Sequence, residues 1–285
     1  MFATESGCYI AHVIIDFHTH IFPPEVRENR DRYVAIDAAF AEMYNDPKAK
    51  MAVGEELLAN MEKAGVDVSV AMGFAWRDQE LCRMHNDYIL EAAAKSNGRL
   101  VPFCMVNLRA AAEQEVERCA AAGARGLGEL RPENQGYDLA QSEAGDRLAA
   151  MAREHKQILL FHVTEPEGHI YPGKRGLALA TFRRFVAKHN DIPVVGGHFA
   201  GGLPFHEDSP TSDLANTYLD TAAMPYLYDE SIMSPSLALL PGRVLLGSDW
   251  PLIGQKRQIK LLRSIVDEGA ADDIMGGSAA RLLGL

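Results

Sequence analysis

No apolar run in the 285-residue chain approaches the roughly 20 residues of a membrane-spanning helix, so no membrane span is expected. Basic residues are in short supply. Lys and Arg number 28 against 39 Asp and Glu, for a net charge of −11, and no basic stripe forms to neutralise phosphates. That argues against a nucleic-acid partner, though net charge says little about a local cleft. Cysteine is sparse as well. Cys8, Cys82, Cys104 and Cys119 show no C-x-x-C spacing; Cys104 and Cys119 sit in apolar or helical contexts and read as small buried thiols, and a reduced, cytoplasmic setting is expected. Residues 1–12 lack the basic and apolar regions of a signal peptide and read as an irregular extension. No linker, low-complexity segment or charge block divides residues 13–285, which read as a single domain.

Short β-branched apolar runs instead alternate with helical patterns along the chain. Strands are expected at 13–18, 66–73, 100–106, 125–130, 157–162, 192–198, 217–221 and 243–248. Helical patterns fall at 55–64, 79–96, 110–122, 143–155 and 177–190, with Gly65, Gly98 and Gly123 placed for left-handed helix ends. Eight strand–helix units in this length predict an α/β fold, the (β/α)8 TIM barrel. An open doubly wound sheet would show the same alternation, but it normally carries a Gly-rich phosphate turn after its first strand. Here that position holds His18-Thr19-His20 and then Pro23-Pro24. Two connections, 21–53 after strand one and 199–216 after strand six, are far longer than βα loops usually are. Both follow strands and are expected over the C-terminal face, where barrel enzymes bind substrate.

Polar residues collect at the expected strand ends. His18 and His20 are two apart and share a face, and Asp16 shares their parity one layer deeper. L-L-F-H ends strand five at His162, V-V-G-G-H ends strand six at His198, and G-S-D-W-P follows strand eight at Asp249. G-L-G-E-L-R sets Glu129 on strand four. A lone histidine is usually a satisfied core or surface residue. If the barrel closes, however, these side chains must meet near its axis, where neutral imidazoles and a carboxylate are costly to bury unpartnered. A divalent cation resolves that cost. His12, His85, His155 and His189 carry the ordinary structural reading, and loop residues His169 and His206 stay unassigned.

I-D-F-H-T-H, G-G-H-F-A-G-G, G-S-D-W-P and the closing G-G-S-A-A-R-L-L-G-L together resemble the amidohydrolase superfamily, and within it the branch of metal-dependent hydrolases and aminocarboxymuconate-semialdehyde decarboxylase relatives. The likeness runs over almost the whole chain, with Ser278 where an asparagine is common. It implies a divalent metal, zinc first and manganese as an alternative, held by His18, His20 and His162, with Asp249 binding the metal or its water. His198 would bind a second metal or orient water and substrate, and Glu129 matches the position where relatives bridge two metals. Glu129 could equally pair with Arg131. Asp16 is expected to accept a hydrogen bond from a ligand or a nearby basic group.

The first functional reading is hydrolysis of a small lactone, amide or ester bearing a carboxylate, with Asp249 as proton shuttle and His198 as oxyanion partner. The alternative is non-oxidative decarboxylation of an unsaturated or aromatic acid at the same site. That reaction needs a cationic clamp, for which Arg77, Arg131, Lys174 and Arg175 are candidates. Trp76, Arg77, Arg131, Tyr171 and Trp250 are the expected substrate-binding residues. A barrel that has lost catalysis is a third reading, disfavoured because every expected polar position is filled. A small-molecule substrate is the expected partner, and a homodimer is suggested only by the resemblance.

Overall fold

The structure, a computed structural model, describes residues 13–109, 111–166, 168–205, 214–237 and 240–285. The expected extension at 1–12 and His206 lie outside the described residues. Strands β1 (Ile15–His20), β2 (Val68–Met72), β3 (Leu100–Cys104), β4 (Gly126–Leu130), β5 (Ile158–Thr164), β6 (Val194–Gly197), β7 (Thr217–Asp220) and β8 (Val244–Leu245) follow one another in a parallel sheet. A two-residue strand, Leu177–Ala178, pairs only with β5. The sheet closes on itself where Phe17 N–H donates to Leu246 O, Asp249 N–H to His18 O and His20 N–H to Trp250 O. This is the TIM barrel that the alternation predicts.

The strands are buried on both faces, and for that reason they read as continuous apolar runs rather than alternating ones. Ile15, Phe17, Val70, Met72, Phe103, Leu160, Val195 and Leu245 fill the barrel interior, with Phe17 edge-on to Phe103 at 5.6 Å. Ala279 and Leu283 of helix Ser278–Leu283 join that cluster. The turn that leads into it, Asp273–Gly277, approaches so closely that a β-carbon at Gly276 would collide with Val13 O, so a side chain there is sterically excluded. The larger apolar layer lies between the strands and the helices Gly54–Ala64, Gln79–Lys95, Ala112–Ala121, Ser142–Glu154 and Leu179–Lys188.

Two strands slip register, and both slips matter for the site. Between Asp16 and Thr19, β1 advances three residues while β2 advances two, from Ser69 to Ala71. Between Leu127 and Leu130, β4 does the same against Leu159 and Phe161 of β5. An extra residue of this kind re-aims the side chains beyond it.

The long segment after β1 is not a bare loop. It winds into helices Pro24–Glu28, Arg30–Ile36 and Ala38–Tyr44, the last capped by Asp37, whose carboxylate accepts from Ala39 N and Phe40 N. Only 199–205 and 214–216 of the second long connection are described. A third segment after β5, described at 165–166 and 168–176, also reaches across the mouth, though the sequence reading does not count it among the long connections. Gly173 N–H donates to Glu42 Oε1, and Arg131 donates to the carbonyls of Gly173 and Arg175. The helix expected at 177–190 starts at Leu179, because Leu177–Ala178 is drawn into pairing with β5.

Candidate metal centre at the barrel mouth

His18 and His20 leave β1 beyond its register slip and turn into the mouth. The His18 ring sets Nδ1 2.7 Å from Asp220 Oδ2, and the His20 ring sets Nδ1 3.2 Å from Gly73 O. A carboxylate and a carbonyl can only accept, so both rings hold their proton on Nδ1. Both Nε2 lone pairs then face the same point, 3.1 Å from each other. Two bare lone pairs so close repel unless a proton or a metal ion lies between them. Imidazole nitrogens that share one ion at about 2.1 Å stand at about this separation.

The second pair arises differently. His162 shares the inward parity of Leu160 on the regular strand β5, while His198 follows β6 with φ 55° and ψ 44°. That left-handed turn swings the His198 ring back toward the axis. Its Nδ1 donates to Ala222 O at 3.3 Å, which leaves Nε2 2.9 Å from His162 Nδ1. Gly197 keeps the space open, since a β-carbon there would stand 2.9 Å from Phe161 O. His162 Nε2 is buried without a partner among the described residues.

Glu129 joins the two pairs. Its Oε1 lies 2.8 Å from His162 Nδ1, 3.0 Å from His198 Nε2 and 3.7 Å from His18 Nε2, while Oε2 lies 3.9 Å from His20 Nε2. Two ligand-sized triads therefore share one carboxylate: His18, His20 and Glu129, and Glu129, His162 and His198, each with donor atoms within 4.8 Å of one another. Asp249 sits on the first side, with Oδ1 3.4 Å from His20 Nε2 and 3.8 Å from His18 Nε2. Neutral imidazoles with converging lone pairs beside buried carboxylates are a donor set that fits a divalent ion.

Without an ion, the buried acids draw protons onto the site instead. Burial works against charge on His18, but Asp220, Glu129 and Asp249 outweigh it and raise the ring to about 10, so a metal ion would have to displace the Nε2 proton. Burial and then Arg131 push His162 down to about 4, against the pull of Glu129. Burial would raise the carboxyls of Glu129 and Asp249, yet the surrounding histidines hold both well below the usual range. Charges of both signs are thus packed around a space of low dielectric.

Asp16 departs from its expected place. The β1 slip turns it away from the histidines, and its carboxylate accepts from Ser248 Oγ, Ser248 N and Gln255 Nε2 at 2.5, 2.9 and 2.9 Å. Its one link to a site residue is the backbone N–H of His18, at 3.2 Å. Burial lifts Asp16 to about 6 in spite of these donors. The carboxylate that orients the His18 ring is Asp220, which the sequence patterns do not single out. Besides the His18 ring, it accepts from His198 N and Ala222 N at 3.0 Å each. Its place at the end of T-Y-L-D, by the same strand-end rule that finds His162, is the signal that points to it.

The expected substrate residues separate into three settings. Arg131 is buried at the mouth but does not pair with Glu129. Its guanidinium ties down the 165–176 segment and also reaches Met43 Sδ, and its Nε is left unpartnered. Tyr171 is half-buried over the mouth and donates to Glu165 Oε2 at 3.0 Å. Lys174 lies 3.3 Å from Glu165 Oε1. Trp76 and Trp250 belong to the apolar core instead: Trp76 is fully buried, stacks on Phe40 at 4.8 Å and donates to His85 Nδ1. Arg77 is exposed on the rim. Tyr44, at the end of helix Ala38–Tyr44, comes close enough to Asp249 and Glu129 that they add to burial in raising its hydroxyl far above the ordinary range. His85 is fully buried in its helix and donates from Nε2 to Ile21 O at 2.7 Å, a structural role.

A closed parallel barrel whose strand ends bring four imidazoles and two carboxylates together is a TIM barrel built around a cation-sized site. The chain belongs to the amidohydrolase family, whose model, described as Amidohydrolase, matches residues 15–285. No curated protein matches it. Solved structures share the fold at low identity. A 5-carboxyvanillate decarboxylase from Novosphingobium aromaticivorans, with bound manganese and 3-methoxy-4-hydroxy-5-nitrobenzoic acid, is 15% identical with a TM-score of 0.78, over 96% of this chain and 98% of that one. The Sphingomonas paucimobilis 5-carboxyvanillate decarboxylase is 17% identical with a TM-score of 0.72, over 96% and 100%. A 2,6-dihydroxybenzoate decarboxylase from Rhizobium is 16% identical with a TM-score of 0.72, over 95% and 98%.

Proposed function

We propose that this protein is a metal-dependent decarboxylase of an aromatic or unsaturated carboxylic acid, ahead of the hydrolysis that the sequence reading puts first. The observation that carries the reading is Asp249. Its carboxylate lies beside the His18/His20/Glu129 triad at the open end of the barrel, committed to no side chain but those histidines. Three barrels of the same shape whose names state decarboxylase activity support it. His18, His20 and Glu129 would hold a divalent ion, with Asp249 completing the set, and His162 and His198 would hold a second one against Glu129. A bound ion would supply positive charge against the carboxylate of an acidic substrate.

The chain's own groups supply the rest. Asp249 is ionised at rest, so it acts as a relay: it takes a proton from solvent and passes it to the substrate carbon that carries the carboxylate. The bond from that carbon to CO2 then breaks, its electron pair stays on the carbon skeleton, and CO2 leaves with Asp249 ionised again. Arg131 adds a buried positive charge near the site, and Tyr44 and Tyr171 supply aromatic walls. The 165–176 segment, tied down by Arg131, keeps bulk water from the reacting carbon.

Hydrolysis remains the second reading, because a carboxylate shared by two histidine pairs also suits a site that activates water between two ions. Metal analysis of the purified protein, then parallel assays on hydroxybenzoates and on esters, lactones and amides, separates the two. CO2 release from the acids with no ester, lactone or amide cleavage is the expected result. Turnover of lactones or amides with no CO2 would overturn it. The same metal analysis decides between zinc and manganese, and between one ion and two.

A further inference from the structure

A cleft lined by none of the site histidines opens between Ile36, Asp37, Arg77, Asp78, Leu81 and Arg109, three of them on connections that follow β2 and β3. It encloses about 430 Å³. Two guanidinium groups line it from different connections, Arg77 after β2 and Arg109 after β3. Arg77 Nε and Arg109 Nη2 come within 3.7 and 3.5 Å of the point where a β-carbon on Gly136 would stand. Two like charges are thus held around one small gap. Among the described residues neither guanidinium makes a hydrogen bond or an ion pair.

Asp37 and Asp78 line the same cleft, but among the described residues neither forms an ion pair with a guanidinium. Asp37 spends one carboxylate oxygen on Ala39 N and Phe40 N and the other on Arg77 N, at 3.1 Å. Asp78 caps its own helix through Glu80 N and Leu81 N. The walls are also fixed in place. Asn107 Nδ2 ties Arg77 O to Gln135 O, and Arg147 donates to the carbonyls of Leu108 and Arg109. Ile36, 60% exposed, and Leu81 give the cleft an apolar wall beside its charges. Two neighbouring guanidiniums whose donors are uncommitted can take an oxyanion, by bidentate hydrogen bonds that arginine is shaped to make. An apolar wall next to it favours an oxyanion carried on an apolar body.

The geometry points to this rim cleft as a binding site for a small organic carboxylate, separate from the metal centre. The test is calorimetric titration of the metal-loaded protein with benzoate, inorganic phosphate and benzyl alcohol, in wild type, Arg77→Gln/Arg109→Gln and Arg77→Lys/Arg109→Lys. His18→Ala, which disables the mouth, is titrated in parallel so that binding there is told apart. Circular dichroism checks that each variant is folded. Benzoate binding that survives His18→Ala, weakens about ten-fold or more in the Gln pair and is partly restored in the Lys pair is the expected result. Benzoate binding that is lost in His18→Ala and unchanged in the Gln pair overturns the site. Phosphate binding there with no benzoate binding overturns the organic half of the assignment, and equal binding of benzyl alcohol overturns the role of the charges.

Discussion

The histidine pairs on the two sides of Glu129 meet the same carboxylate by different routes. His18 and His20 are neighbours in sequence on one strand, each with its Nδ1 fixed by an outer acceptor, Asp220 or Gly73 O. His162 and His198 come from separate strands, and the second reaches the axis only through a left-handed backbone. The first pair is pre-set by local chemistry: two rings, two locked tautomers, two converging lone pairs. The second is assembled by the barrel. It follows that the first side should bind an ion more tightly, and that the second should depend more on Glu129 and on the exact course of β6.

The variants that break this comparison most severely are at the shared carboxylate and the free one. Glu129→Gln removes the negative charge between both pairs, so the ion on the His162/His198 side should be lost first. Metal analysis should show that loss, and turnover should fall by about 10²-fold or more. Retention of full metal content in this variant would sink the shared role. Asp249→Asn should leave most of the metal bound yet lower turnover by about 10²- to 10⁴-fold, because it removes the proton donor and leaves the histidines in place.

A smaller effect sharpens the asymmetry. Asp220→Asn keeps an oxygen for His198 N and Ala222 N but turns an amide toward the His18 ring, so the tautomer of His18 loses its anchor. Metal affinity on the first side should fall by about 10- to 100-fold, read by competition with a chelator, with the second side nearly unmoved. Smaller still, Asp16→Ala leaves the donors of Ser248 and Gln255 unpaired in the barrel wall. It should cost about 1–3 kcal/mol of stability, read as a lower urea midpoint, without changing metal content.

His85 supplies a pH signature outside the metal centre. Burial lowers it to about 4 from the ordinary 6.5, and its neutral Nδ1 accepts from Trp76 Nε1 and Phe74 N. Between those values the unfolded chain binds a proton that the folded chain refuses, so stability falls as pH drops from 6.5 toward 4. In metal-free protein, His85→Gln should be less stable at neutral pH but lose stability less steeply over that window. Parallel curves for the two proteins would remove His85 from the acid response.

Much of the centre was legible because barrel strands end at the mouth. His18, His20, His162, His198 and Asp249 follow from reading which residue closes each apolar run, and Glu129 from its place within G-L-G-E-L-R on strand four. Asp16 was misplaced because parity counting assumes an unbroken strand, and the slip between Asp16 and Thr19 cancels it. Asp220 went unseen because one carboxylate in T-Y-L-D carries no local mark of the ring it will meet two strands away. Trp76 looked like a pocket wall for want of any sign that Phe40, Tyr33 and His85 would enclose it.

By itself, the chain determined the strand–helix alternation, the barrel and the chemical type of the groups at its mouth. Apolar periodicity and residue identity are local properties, and these features follow from them. The tertiary structure alone decided which nitrogen of each histidine faces the ion site, which carboxylate holds the first ring, and that Glu129 touches both pairs. It also set two arginines from separate connections around one gap on the rim. Those relations join residues far apart in the chain, and barrel closure, two register slips and left-handed backbone at His198 and Asp249 bring them together at the mouth.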